Sequence, residues 1–331
     1  MTTTHEQAAT MTPEQAAWFA ETVDRIVAAV SGAVVGKAEV IRLVVTTMLS
    51  GGHMLLEDYP GTGKTQLARS LAAAVRATSS RIQFTPDLLP SDVTGVSVLD
   101  PATNKFEFHR GPIFAAVVLA DEINRASPKT QSALLEVMEE GRVTFDGVTY
   151  EVDKPFLVLA TQNPVEQAGT YRLPEAQLDR FLMKTSIGYP DHNATVSILS
   201  GAAVRDRAAH VAPVITGEAV TDMVALANTV HVDPAMFEYV SRIVAETRRA
   251  PNVTVGVSVR GALALVRAAK TWAASAGRNY VLPDDIKALA QPVLAHRLIL
   301  DAEAEFDGAT PEDAVSHVLD EIAPPSQRAQ R

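Results

Sequence analysis

The chain contains no cysteine. Disulfides, thiolate nucleophiles and cysteine-bound zinc are thereby excluded, and the composition suits a reducing compartment. Aromatic residues make up only 5%, and the eight histidines form no cluster with ligand spacing. The longest clean apolar run, residues 113–120, falls far short of the ~20 residues that span a bilayer. Basic residues are outnumbered by acidic ones, 29 to 39, and a net charge of −10 argues against general affinity for nucleic acid or anionic membrane. Residues 1–6 have neither the basic region nor the apolar core of a secretory signal. A cytoplasmic protein without direct membrane insertion is expected.

What is present points to a packed globular chain. At 331 residues and 47% hydrophobic content, about two domains are expected. The most informative segment is Pro60-Gly61-Thr62-Gly63-Lys64-Thr65, directly after the apolar run His53-Met54-Leu55-Leu56-Glu57 and before a helical stretch from Gln66 to Val75. A buried strand, a glycine-rich turn and a helix, in that order, are what a nucleoside triphosphate needs. The glycines let backbone N–H groups close around phosphates, Lys64 supplies a point charge and the Thr65 hydroxyl suits Mg²⁺. The full pattern has glycine at its first position, where this chain has Asp58.

Hydrophobic spacing organises the rest. Thr12-Pro13-Glu14-Gln15 reads as a helix start, with Thr12 as N-cap and Gln15 closing a capping box; a second helix is read over residues 37–49. Short apolar runs at residues 81–84, 117–120, 156–161 and 185–189 alternate with helical patterns such as residues 128–140, which predicts a mainly parallel sheet. Two stretches break this rhythm: residues 95–99 with 105–108, and residues 142–145 with 148–151 around Asp146-Gly147, a hairpin turn signal. After residue 190 the pattern is helical, so a boundary is placed there.

Val117-Val118-Leu119-Ala120-Asp121-Glu122 is a buried strand ending in two carboxylates, which it carries to the sheet edge where ligands bind in open α/β folds. Asp121 suits a Mg²⁺ ion and Glu122 the orientation and deprotonation of an attacking water. The simpler alternative is a pair of acids capping the next helix.

The strings Asp121-Glu122-Ile123-Asn124-Arg125-Ala126, Ala160-Thr161-Gln162-Asn163-Pro164 and Leu173-Pro174-Glu175-Ala176-Gln177-Leu178-Asp179-Arg180-Phe181 closely resemble the MoxR family of AAA+ ATPases, in the branch with magnesium chelatase and the MCM helicases. The likeness runs from about residue 35 to about residue 297. It implies an α/β AAA+ P-loop core with a parallel sheet and inserted β-hairpins, followed by a smaller all-helical lid. The implied division is a disordered N-terminus (1–12), a core (13–190) with a helix-2 insert (about 86–112) and a hairpin before sensor 1 (about 140–155), a lid (191–325) and a flexible tail (326–331). Among such relatives Asp58 is an accepted variant, so nucleotide binding is expected to survive it.

The resemblance also implies roles. Val35 and Gly36 lie against the adenine; Pro60, Gly61, Thr62, Gly63, Lys64, Thr65 and Gln66 bind the phosphates of ATP; Thr65 and Asp121 hold Mg²⁺. Glu122 acts as the base, Asn163 as sensor 1, Arg180 as an arginine finger acting in trans, and Arg260 as sensor 2. The plainer alternatives are a turn-capping amide for Asn163, an ion pair with Asp179 or Glu175 for Arg180, and a surface arginine for Arg260. The implied function is a ring-forming, hexameric chaperone-like ATPase acting on a von Willebrand factor A domain protein. A nucleic-acid motor is the alternative of another class, but the hairpin over residues 140–154 sets Arg142 and Lys154 against four acids, and residues 100–104 offer no aromatic to stack a base. A nucleotide-gated scaffold without turnover is a third.

Overall fold

The computed structural model describes residues 10–163, 171, 173–200 and 206–325. Helices α1 (Pro13–Ala33) and α2 (Ala38–Leu49) precede strand β1 (Met54–Glu57) and helix α3 (Lys64–Ala74). Strand β2 (Ser79–Gln83) and helix α4 (Pro90–Thr94) lead into a hairpin of β3 (Gly95–Asp100) and β4 (Lys105–Arg110). Strand β5 (Val117–Asp121), helix α5 (Pro128–Glu140), a second hairpin of β6 (Arg142–Phe145) and β7 (Val148–Glu151), strand β8 (Leu157–Gln162), helix α6 (Glu175–Leu178) and strand β9 (Met183–Thr185) follow. The remainder comprises α7 (His192–Ser200), α8 (Gly217–Ala227), α9 (Pro234–Thr247), β10 (Val253–Val255), α10 (Val259–Ser275), α11 (Pro283–Leu294), β11 (Ile299–Leu300), α12 (Ala302–Phe306) and α13 (Pro311–Glu321).

Five strands form one parallel sheet in the order β2-β5-β8-β1-β9. Strands buried on both faces read as continuous apolar runs, and every residue of β5 is buried. Its Val118 and Ala120 side chains join those of Leu55, Val158 and Ala160 in a core closed by Leu134, Leu135 and Phe181. Register then fixes the functional edge. Glu57 lies opposite Gln162, Ala120 opposite Ala160, and Gln83 opposite Asp121. The C-terminal ends of β1, β8 and β5 are therefore neighbours, with β1 and β5 about 10 Å apart at ordinary strand spacing.

Local chemistry explains the element ends. Thr12 and Gln15 exchange the two capping-box bonds, 2.8 and 3.2 Å, at the start of α1. Helix α5 starts at N-cap Ser127 with Pro128 behind it, and stops where Gly141 turns left-handed and donates its N–H to the Val137 carbonyl at 2.9 Å. The β6–β7 turn uses Asp146 and Gly147 at φ +47° and +76°, the pair of left-handed residues that a tight hairpin requires. The last sheet strand lies earlier than the apolar run at 185–189 suggests: it is Met183–Thr185, and the chain then bends through Gly188 at φ +66°.

Packing divides the chain into two compact units, Arg25–Thr221 and a second formed by residues up to Asp24 together with those from Asp222 onward. The division falls later than the boundary expected at residue 190. The reason lies in residues 206–215, which bind the core: Asp206 pairs with Arg69 at 2.8 Å, and the Val214 N–H donates to the Ala74 carbonyl at 2.7 Å. At the other end, residues 10–12 do not fit a disordered N-terminus. Met11 is 2% exposed, donates its N–H to the Thr229 carbonyl and accepts from Asn279, all within one unit. Residues 1–9 and the tail 326–331 lie outside the described residues. Among its described residues the second unit is helical apart from the short antiparallel pair β10–β11 and an isolated bridge between His231 and Tyr280.

Candidate functional site

The glycine-rich loop occupies residues 58–63, between β1 and α3. Gly61 and Gly63 have φ of +83° and +94°, and a Cβ added at either meets nothing within 4 Å. Glycine is needed here for backbone conformation, not for space. The loop delivers α3 with its first N–H groups unpaired within the helix, the ordinary setting for an anion. Thr65 is exposed at that end, as is Pro60, while Thr62 is buried and donates to the Tyr59 carbonyl at 3.3 Å. The Lys64 Nζ rests on the carbonyls of Asp58 and Tyr59, 3.4 Å from each. The Gln66 side chain turns elsewhere and accepts the Ala208 N–H at 3.2 Å, which leaves its backbone as its contribution to the loop.

Asp58 has a definite task at the irregular first position. Its carboxylate, 2% exposed, accepts the N–H groups of Ile187 and Gly188 at 2.6 and 2.8 Å, and its own N–H donates to the Gln162 carbonyl at 3.1 Å. It thus ties the loop to the chain leaving β9. The Tyr59 ring stacks on Tyr189 at 5.8 Å, and Lys37 Nζ donates to the Tyr189 carbonyl at 2.8 Å, so the same segment is held from three sides.

At the end of β5, Asp121 and Glu122 diverge. Asp121 Oδ1 accepts the Thr161 hydroxyl at 2.7 Å, and its Oδ2 pairs with Arg81 Nη2 at 2.6 Å. Glu122 stands in a left-handed conformation, φ +58°, an uncommon state for a residue with a Cβ. Its N–H donates to the same Thr161 hydroxyl at 2.9 Å, and its Oε2 accepts from Gln83 at 2.8 Å and Arg125 at 2.9 Å. The Thr65 hydroxyl and the Asp121 carboxylate are hard oxygen donors at adjoining element ends, a set that fits Mg²⁺ shared with phosphate oxygens. Among the described residues no three His, Asp or Glu side chains form a metal cage of their own.

Asn163 follows β8 directly, between the loop and the carboxylate pair in strand order, and is buried; Pro164 lies outside the described residues. Val35 is half-buried and Gly36 exposed; Gly36, at φ +75°, passes so close to α7 that a Cβ there falls 2.8 Å from the Ala194 Cβ. Arg180 Nη1 reaches α5, at 2.8 Å from the Leu135 carbonyl and 3.1 Å from Glu139. Arg260 lies in the other unit, in the first turn of α10 behind N-cap Ser258. The structure thus gathers residues 58–65, Asp121, Glu122 and Asn163 on one sheet edge, whereas Arg180 is held against α5. Sequence reasoning missed Thr161, Arg81 and Gln83 as members of this network. Thr161 lies inside a diagnostic string, but the strand spacing of Arg81 and Gln83 carries no signal of its own.

Known proteins match along nearly the whole chain. Residues 53–183 match the ATPase family associated with various cellular activities (AAA), and residues 245–318 match the AAA lid domain. The protein named YeaC of Bacillus subtilis is 50% identical over 89% of this chain and 92% of its own length. Chaperone MoxR1 of Mycobacterium tuberculosis is 40% identical over 93% of this chain and 84% of its own. A crystal structure from Cytophaga hutchinsonii, ascribed to the ATPases, superposes with a TM-score of 0.88 at 37% identity, covering 94% of this chain and 97% of that one. With the glycine loop on β1, the carboxylate pair on β5, a matching lid and these full-length relatives, the chain belongs to the MoxR family of AAA+ ATPases.

Proposed function

We propose that this protein hydrolyses ATP at the shared edge of β1, β8 and β5 and spends the energy as a chaperone-like motor on a partner protein. One observation carries the reading: in the sheet a single strand, β8, separates the Asp121–Glu122 pair at the end of β5 from the glycine loop after β1, and Asn163 directly follows that strand. In this reading Lys64 and the N–H groups at the start of α3 bind the phosphates, and Val35 and Gly36 flank the adenine. Asn163 orients a water, and Glu122 takes its proton as the water oxygen bonds to the γ-phosphorus and the bond to the bridging oxygen of ADP breaks. Thr65 and Asp121 hold Mg²⁺, which supplies charge neutralisation on the phosphates when bound. Arg260 serves as sensor 2.

Arg180 completes the site from a neighbouring copy, which makes the working form a closed ring, a hexamer by family resemblance. Arg180, tied to Glu139 and the Leu135 carbonyl, lines a cavity with Ser132 and Glu136 of α5 and with no residue of its own chain's glycine loop or carboxylate pair, which supports its serving another copy. The name of the Mycobacterium relative supports a chaperone-like role, and the family resemblance supports a von Willebrand factor A domain protein as the partner. Phosphate release from wild type and Glu122→Gln tests the reading. The variant is expected to bind ATP as wild type does but to turn over at least ~100-fold more slowly, the size of a lost general base. Equal rates would remove Glu122 from the chemistry.

A further inference from the structure

The carboxylate read as the Mg²⁺ ligand already has a cation on it. Arg81, from the neighbouring strand β2, places Nη2 2.6 Å and Nε 3.2 Å from Asp121 Oδ2, while Thr161 occupies Oδ1. We propose that Arg81 is a latch on this carboxylate: its guanidinium stands in for the divalent cation on Asp121 and leaves when metal and nucleotide bind. The proposal rests on the reading of Asp121 as the metal carboxylate.

Burial says which partner moves. The Asp121 side chain is 11% exposed and fixed by β5 between two neighbouring strands, whereas Arg81 is 51% exposed on a long stem. Arg81 also lines a cavity of about 150 Å³ together with Thr65, the other oxygen donor proposed for the metal, and with Ser79 and Ser80. A divalent cation arriving at Asp121 repels the Arg81 guanidinium and competes with it for Oδ2, since Thr161 already occupies Oδ1. Solvent gives Arg81 somewhere to go.

The latch reaches the second carboxylate as well. Arg81 Nη2 donates to Gln83 Oε1 at 2.5 Å, and Gln83 Nε2 donates to Glu122 Oε2 at 2.8 Å. Departure of Arg81 removes the bond that fixes the Gln83 amide in this orientation. Arrival of the cation at Asp121 thereby loosens one of the two side-chain bonds on Glu122 Oε2, the other being the ion pair with Arg125. Arg81 is in these terms a positioning residue, acting through Asp121 and Gln83.

The test compares the affinity of a fluorescent, non-hydrolysable ATP analogue in Mg²⁺ and in EDTA, for wild type, Arg81→Gln and Arg81→Lys. A latch predicts that Arg81→Gln tightens binding about tenfold in Mg²⁺ and changes it less than about twofold in EDTA, since only the metal competes with Arg81. Arg81→Lys keeps a cation in place and should stay close to wild type in both. Equal shifts in Mg²⁺ and EDTA, weaker binding of the Mg²⁺ form, or a lysine variant that tightens as glutamine does would each overturn the latch. Asp121→Ala should abolish the preference of the wild type for Mg²⁺. A wild type that binds the analogue equally in Mg²⁺ and EDTA overturns the reading of Asp121, and the latch with it. A second measurement needs no variant: the Arg81 Nε–H resonance of the wild type should be protected from exchange with the analogue in EDTA and lose protection in Mg²⁺. Protection that persists in Mg²⁺ contradicts the proposal.

Discussion

Asp58 shows how one side chain can replace a pattern residue without emptying the site. Glycine at the first loop position has no side chain to place, whereas Asp58 sends a buried carboxylate away from the loop to two backbone donors beyond β9. Asn at this position keeps one acceptor oxygen, and one of those N–H groups is left without a partner. Asp58→Asn should therefore cost about 1–3 kcal/mol in denaturant unfolding, the price of an unsatisfied buried donor, while ATP affinity changes less than about threefold. Unchanged stability would show that the Asp58 contacts hold nothing. At this scale the sequence discloses, by residue type and order, the residues on which the proposed chemistry rests, such as Lys64, Thr65, Asp121 and Glu122. It conceals Thr161, Arg81 and Gln83, because their partners lie across strands and depend on a register that no local spacing encodes.

Elements were legible where both ends carry a physical signal. Helix α5 begins at a serine cap with proline behind it and ends at a left-handed glycine, and the expected residues 128–140 are the ones observed. Strand β9, only three residues long and followed by a bend set by Asp58 and Gly188, lacked such markers. The two inserted hairpins were legible from their turns, but their mutual attachment was not. Phe108 on β4 stacks 4.3 Å from Tyr150 and 5.6 Å from Phe145 on the second hairpin, with Phe114 edge-on at 6.0 Å and Arg110 over the Phe114 ring at 5.0 Å. The hairpins are thus one packed body, and Phe106, 70% exposed, projects from its surface. Phe108→Ala should cost about 2 kcal/mol, less than the ~3–5 of a fully buried phenylalanine, and should speed amide exchange in β6 and β7 as well as in β3 and β4. Faster exchange in β3 and β4 alone would show that the hairpins are independent.

For the whole molecule, the division into an α/β unit and a mostly helical unit followed from the loss of strand patterns after residue 190. Its position did not, because helical periodicity identifies a buried face but not the body that buries it; residues 206–215 bind α3 in the core. No helix among the described residues is long and apolar enough to cross a membrane. In the proposed function, ATP hydrolysis depends on residues of two copies, Lys64 from one and Arg180 from the next. A finger supplied in trans is worth roughly 10³ to 10⁵ in rate in the GTPases where it has been measured, so Arg180→Ala and Lys64→Ala should each be nearly inactive alone. The decisive measurement is phosphate release from their equimolar mixture. Random assembly pairs an intact loop with an intact Arg180 at about a quarter of the contacts between copies, so turnover should return to about a quarter of the wild-type rate. Activity that never exceeds the sum of the two separate variants, at any mixing ratio, would contradict the account.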